Sequence, residues 1–247
     1  MTAPRPTGNR LCLIHGNSLP EDVDPIEGER FKLEIGSARV EGTDGGDVVG
    51  IARHGFDRDV PAHLVDHHAN ITAACELGCN RVLALASAGS LGEHLELGTL
   101  VCPDDFYAPM VAPSFYRDAR GHSVPGFDEE WRRVVLRAWG ALTEIKLADG
   151  GTYAQTRGPR FETPAEVRAL GQVADLVGMT IAAESILAGE AALAYAAVCT
   201  IDNWGNGVLE QRLTVEEYRR GRDQTAASLI EGLRGVLPAL VKELPGT

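Results

Sequence analysis

Between Gly158 and Glu166 the chain reads Gly-Pro-Arg-Phe-Glu-Thr-Pro-Ala-Glu, a rigid turn followed at once by an aromatic residue and a carboxylate. The ring of Phe161 can stack on a flat ligand, and Glu162 can accept an N–H from its edge. A plainer role for Glu162 is compensation of the helix dipole just ahead of Thr163. At Arg53-His54-Gly55 a guanidinium, an imidazole and backbone N–H groups stand together, a combination suited to a phosphate dianion. An ordinary salt bridge is the competing reading of Arg53. Further short glycine-containing turns close apolar runs at Gly16-Asn17-Ser18, Ser87-Ala88-Gly89-Ser90, Gly178-Met179-Thr180 and Asn203-Trp204-Gly205. In open α/β sheets ligands collect where strands end, so these loops are expected to converge on one pocket, although each alone could be a plain connector.

The elements that must carry these turns follow from hydrophobic period. Apolar runs predict strands at Leu11–Ile14, Phe31–Ile35, Val48–Ala52, Arg81–Ala86, Leu100–Cys102, Thr152–Thr156 and Ala194–Ile201. Helical spacing covers His63–Leu77, Glu130–Leu142 and about Ala182–Leu193. Two capping boxes, Thr163-Pro164-Ala165-Glu166 and Thr214-Val215-Glu216-Glu217, start two more helices, the second reaching about Val236. Residues 108–128 hold three prolines and no sustained period, which predicts a long loop, mobile or in contact with another subunit. Strands alternate with helices without a linker or repeat. The expectation is one α/β domain over 1–247, a central mixed sheet flanked by helices, with residues 1–10 disordered.

With 44% hydrophobic residues and 6% aromatics, 247 residues can bury a sizeable core. A net charge of −12, spread along the chain, argues against a nucleic-acid footprint. Any phosphate must be held by a few local donors. The five cysteines have no metal-ligand spacing: Cys75 and Cys79 lack a matching His or Cys pair, and the adjacent His67 and His68 lack a spaced third ligand. No metal is expected, and a reducing cytoplasm fits. Without a signal-like or membrane-length apolar run, a soluble, non-exported chain is expected.

From about Leu11 to Leu233 the pattern resembles the purine nucleoside phosphorylase and 5'-methylthioadenosine phosphorylase family. It rests on Arg53-His54-Gly55 followed one helix later by Ala69-Asn70, on Gly158-Pro159-Arg160-Phe161-Glu162, on Met179-Thr180 and on the Asn203 turn. The resemblance implies phosphate contacts from Asn17, Arg53, His54, Ser87 and Thr180, stacking by Phe161, and Met179 over the ribose. It also implies Glu162 and Asn203 as the catalytic pair on the base. Asn203 is similar to the Asn of 6-oxopurine enzymes, where methylthioadenosine-specific relatives usually carry Asp; a neutral amide can bond N7 and O6 together. Asn203-Trp204-Gly205-Asn206-Gly207 resembles the corresponding run of methylthioinosine phosphorylases. Where inosine phosphorylases place a His for the ribose 5'-hydroxyl, this chain has Val215, an apolar wall that predicts a 5'-methylthio group.

The implied reaction is phosphorolysis of a purine nucleoside, 5'-methylthioinosine in particular, with inorganic phosphate as co-substrate and no other cofactor. The family's trimers imply a homotrimer, with Phe115 and Tyr116 reaching into a neighbour's pocket. The chain departs from the family at His15-Gly16-Asn17-Ser18, where relatives have glycine-rich turns, at Asp66-His67-His68, at Arg58 and at Ala182-Ala183-Glu184, where relatives have Val-Pro-Glu. Three alternatives stand beside this reading: a 5'-methylthioadenosine phosphorylase using Asp202, a hydrolase, and a non-catalytic nucleoside-binding homologue.

Overall fold

The computed structural model describes residues 2–20, 23–210 and 213–243. Among them, eleven strands form one mixed sheet: β1 (Arg10–His15), β2 (Glu29–Ile35), β3 (Ala38–Asp44), β4 (Val48–Ala52), β5 (Cys79–Ser90), β6 (Leu100–Cys102), β7 (Asp105–Tyr107), β8 (Leu147–Asp149), β9 (Thr152–Gln155), β10 (Leu176–Gly178) and β11 (Ala194–Trp204). Five α-helices flank it: α1 (His67–Glu76), α2 (Glu129–Leu142), α3 (Pro164–Leu170), α4 (Ile181–Ala191) and α5 (Val215–Lys242). β5 is central, with β1 and β11 parallel on either side of it. Its last residues, Gly89 and Ser90, also pair antiparallel with β10.

The middles of the three central strands are apolar because both faces are covered. Along β1, Cys12 and Ile14 pack with α1 and α4, while Leu11 and Leu13 pack with α2 and α5. β5 and β11 alternate in the same way, Val82 and Ala84 against Leu83 and Leu85, then Ala197 and Cys199 against Ala196 and Val198. This is the period of two with no polar face that marks a buried sheet. All five cysteines are buried as free thiols. No described helix is long and apolar enough to cross a membrane.

Both capping boxes form as predicted: Thr163 with Glu166 opens α3, and Thr214 with Glu217 opens α5. The helix predicted from His63 begins only at His67, because the Asp66 side chain accepts from the Ala69 N–H and caps it there. Strands β3, β7, β8 and β10 have no counterpart in the sequence reading. Three of them are three residues long, too short for a period to show, and β3 has successive buried residues, Val40 to Thr43, instead of alternation.

The expectation for the first residues differs from the structure. Residues 2–9, expected to be disordered, lie against the domain: Ala3 is buried, Arg5 donates to the Glu190 carbonyl and Thr7 to that of Cys75. Met1 and residues 244–247 of the expected domain lie outside the described residues. Within the 108–128 segment, Glu190 accepts from the Ser114 hydroxyl and the Phe115 N–H. Phe115 packs edge-on against His68 at 5.1 Å, and Tyr116 lies under Arg120.

Candidate active site

One cavity of about 290 Å³ opens where β1, β4, β5, β10 and β11 end. Nine of the ten predicted site residues line it: Asn17, Arg53, His54, Ser87, Phe161, Glu162, Met179, Thr180 and Asn203. The turns that deliver them are tightly interlocked. A Cβ on Gly16 would come within 2.8 Å of the His54 ring and 3.1 Å of Arg53 Nη1, and one on Gly89 within 2.9 Å of Asn203 Nδ2. Glycine at these positions lets neighbouring strand ends approach the same space.

At one end of the cavity sits Arg53, sealed from solvent. Its Nε and Nη2 donate to Glu184 at 2.5 and 3.0 Å, and Nη1 donates to the Leu85 carbonyl at 2.8 Å. A guanidinium has five N–H groups, so donors on Nη1 and Nη2 are left for a ligand. Glu184 also accepts from the Tyr195 hydroxyl at 2.7 Å, with His67 Nδ1 3.5 Å away. Burial would raise the Glu184 pKa, yet the charge and hydrogen bonds of Arg53, with His67, hold it well below the usual carboxylate range. The N-terminus of α4 faces the same end. Thr180 caps it without using its hydroxyl on the helix, and the dipole there favours an anion. The Ala183 N–H donates to Gln155, which in turn donates to the Met179 carbonyl.

At the other end, β11 carries two polar neighbours that the fold separates. Pairing of β11 with β5 slips between Ile201 and Asn203, a bulge at Asp202. Asp202 is thereby turned toward α5, accepting from Thr225 at 2.5 Å and Thr200 at 3.0 Å. Burial raises its pKa to about 6, against the lowering effect of hydrogen bonds from Ser87, Thr225 and Thr200. Asn203 faces the cavity, its Nδ2 donating to the Trp204 carbonyl at 2.8 Å. Across from it, Glu162 accepts from the Thr156 hydroxyl at 2.6 Å, and Asn206 donates to the Glu162 carbonyl.

Val215 is the one predicted site residue that does not line this cavity. It is 48% exposed at the start of α5. Tyr218, one turn further along α5, lines the cavity, its ring 5.4 Å from Phe161 and tilted by 58°. Burial raises the pKa of the Tyr218 hydroxyl, against the lowering effect of Ser87. The signal for Tyr218 was in the period of α5. The buried stripe Leu240, Val236, Leu233, Leu229, Thr225, Gly221 extends back in steps of three and four to 218 and 214, passing 215 by. Glu184 stood in a run matched to the family, but its pairing with Arg53 had no local signal, because that partner is far away in sequence.

The chain matches the model of the phosphorylase superfamily over residues 12–234. It is 38% identical over 219 residues to a "Probable 6-oxopurine nucleoside phosphorylase" of Archaeoglobus fulgidus, covering 88% of this chain and 89% of that one. It is 33% identical to a "Probable S-methyl-5'-thioinosine phosphorylase" of Methanothermobacter thermautotrophicus, covering 78% and 68%. In fold it is similar to the methylthioadenosine phosphorylase of Schistosoma mansoni solved with adenine, at a TM-score of 0.79, 22% identity and coverage of 95% and 93%. With the family model spanning nearly the whole domain and every strand-end turn of the cavity inside that span, this chain belongs to the phosphorylase superfamily.

Proposed function

We propose that this chain catalyses the reversible phosphorolysis of a 6-oxopurine nucleoside to the free base and a pentose 1-phosphate. The observation that carries this reading is the division of one cavity into a donor-rich anion end and a base end, where Asn203 faces in while Asp202 is turned away. Phosphate, the co-substrate, is held by Arg53, His54, Asn17, Ser87, Thr180 and the N-terminus of α4. Its oxygen forms the new bond to C1' as the bond from C1' to the purine nitrogen breaks through an oxocarbenium-like transition state. Purine leaves as a delocalised anion. Asn203 bonds its N7 and O6, Glu162 accepts from N1–H, and Phe161 stacks on its face. The phosphate dianion stabilises the cationic sugar, so neither a carboxylic acid pair nor any further cofactor is needed.

The apolar contact assigned to Val215 passes to the Tyr218 ring. That ring offers an aromatic surface to a 5'-methylthio sulfur. The names of relatives agree with a 6-oxopurine substrate, both with and without the 5'-thio group. In this reading the protein is a cytoplasmic homotrimer. Exposed Leu64 and Met110 flank a groove of about 500 Å³ that shares Ala62 and Met179 with the active cavity, a surface suited to a neighbouring copy. The test is a phosphate-dependent panel of inosine, 5'-methylthioinosine and 5'-methylthioadenosine. Turnover of both inosine compounds, fastest for the methylthio one, is expected. Preference for the adenine nucleoside, product release without phosphate, or binding without turnover would each replace it with one of the alternatives.

A further inference from the structure

His54 has one ring proton to place, and its surroundings decide where. Nδ1 lies 2.8 Å from the Val60 carbonyl oxygen, an atom that can only accept, so the hydrogen sits on Nδ1. The ring is neutral: burial lowers its pKa to about 4, and the Arg53 and His67 charges act in the same direction against the Val60 bond and Glu184. Nε2 is therefore a bare lone pair. Val60 is the ring's only hydrogen-bond partner among the described residues. Nε2 lies beside Gly16 in the cavity wall, 3.2 Å from where a Cβ on that glycine would stand. The other side chains at this end, Asn17, Arg53 and Thr180, can all donate.

We propose that His54 Nε2 accepts a hydrogen bond from a P–OH group, so that the site selects tetrahedral oxyanions that keep a proton near neutral pH over those that do not. Phosphate and arsenate dianions retain one hydroxyl; sulfate and selenate of equal charge have none. A proton-free oxyanion would set an oxygen lone pair against the Nε2 lone pair. The inference rests on the reading above that phosphate occupies this end of the cavity.

Calorimetric titration of the intact protein near neutral pH with phosphate, sulfate, arsenate and selenate tests it. Phosphate over sulfate, and arsenate over selenate, should each be favoured by about tenfold or more, the cost of an unpaired buried acceptor. In His54→Gln, whose amide can turn either way, both ratios should fall to within about threefold. Nitrogen NMR of the native protein supplies a reading independent of that variant: the Nε2 signal should be that of an unprotonated nitrogen and should move with phosphate but not with sulfate. Equal affinity for sulfate and phosphate, or a protonated Nε2, overturns the proposal. Failure of all four anions to bind removes the phosphate site itself, and the proposal with it.

Discussion

Arg53 and Glu184 stand 131 residues apart in sequence and meet through two hydrogen bonds of 2.5 and 3.0 Å, sealed from solvent in the interior. The guanidinium is thereby held at the cavity by a carboxylate that does not line it. Replacing Glu184 by Gln leaves Arg53 as an uncompensated buried charge and should cost about 3–5 kcal/mol of stability, read by urea unfolding. Its signature in kinetics is a raised KM for phosphate with the KM for nucleoside little changed. Because the folded pKa of Glu184 is depressed, the stability it contributes is present above the ordinary carboxylate range and lost as pH falls through it.

Asn203 decides which base is held. In Asn203→Asp the carboxylate accepts but cannot donate, so kcat/KM for a 6-oxopurine nucleoside should fall by about 10²–10³-fold. The same variant should gain activity on 5'-methylthioadenosine, since a protonated carboxyl can serve the adenine edge. Steady-state rates on both nucleosides check this, and equal losses on both would contradict the assigned contact.

Asp202 should make stability depend on pH in an unusual direction. Its folded pKa, raised to about 6 by burial, exceeds the ordinary Asp value, so the folded state binds more protons than the unfolded chain between these values. Stability from this group is full below the unfolded pKa and is lost as pH rises through about 6. A shift of this size corresponds to about 3 kcal/mol. Asp202→Asn should therefore gain stability relative to the native chain on going from acid to neutral pH, measured as the difference between their urea midpoints.

Tyr218 and Val215 separate by function. Val215→Ala, at an exposed position outside the cavity, should leave kcat/KM within about twofold. Tyr218→Ala removes a wall of the cavity and the support of Phe161, and should raise the nucleoside KM by about tenfold or more. A large effect at Val215 and none at Tyr218 would restore the assignment made from sequence.

What the amino-acid order determined by itself is local. Two-faced apolar strands, capping boxes at Thr163 and Thr214, and the residue types in each strand-end turn are legible because period and turn chemistry act over a few neighbours. Only the tertiary structure decided what depends on register and distance. A one-residue bulge sends Asp202 to α5 and Asn203 to the cavity, a choice that adjacent polar residues do not announce. The turn of α5 brings Tyr218, and not Val215, to the cavity. Glu184 acquires its role only because folding brings β4 and α4 together, and the short strands β7, β8 and β10 exist only because distant strands supply their hydrogen bonds. Side-chain type sets what a residue can do, whereas the packing of distant segments sets which partner it meets.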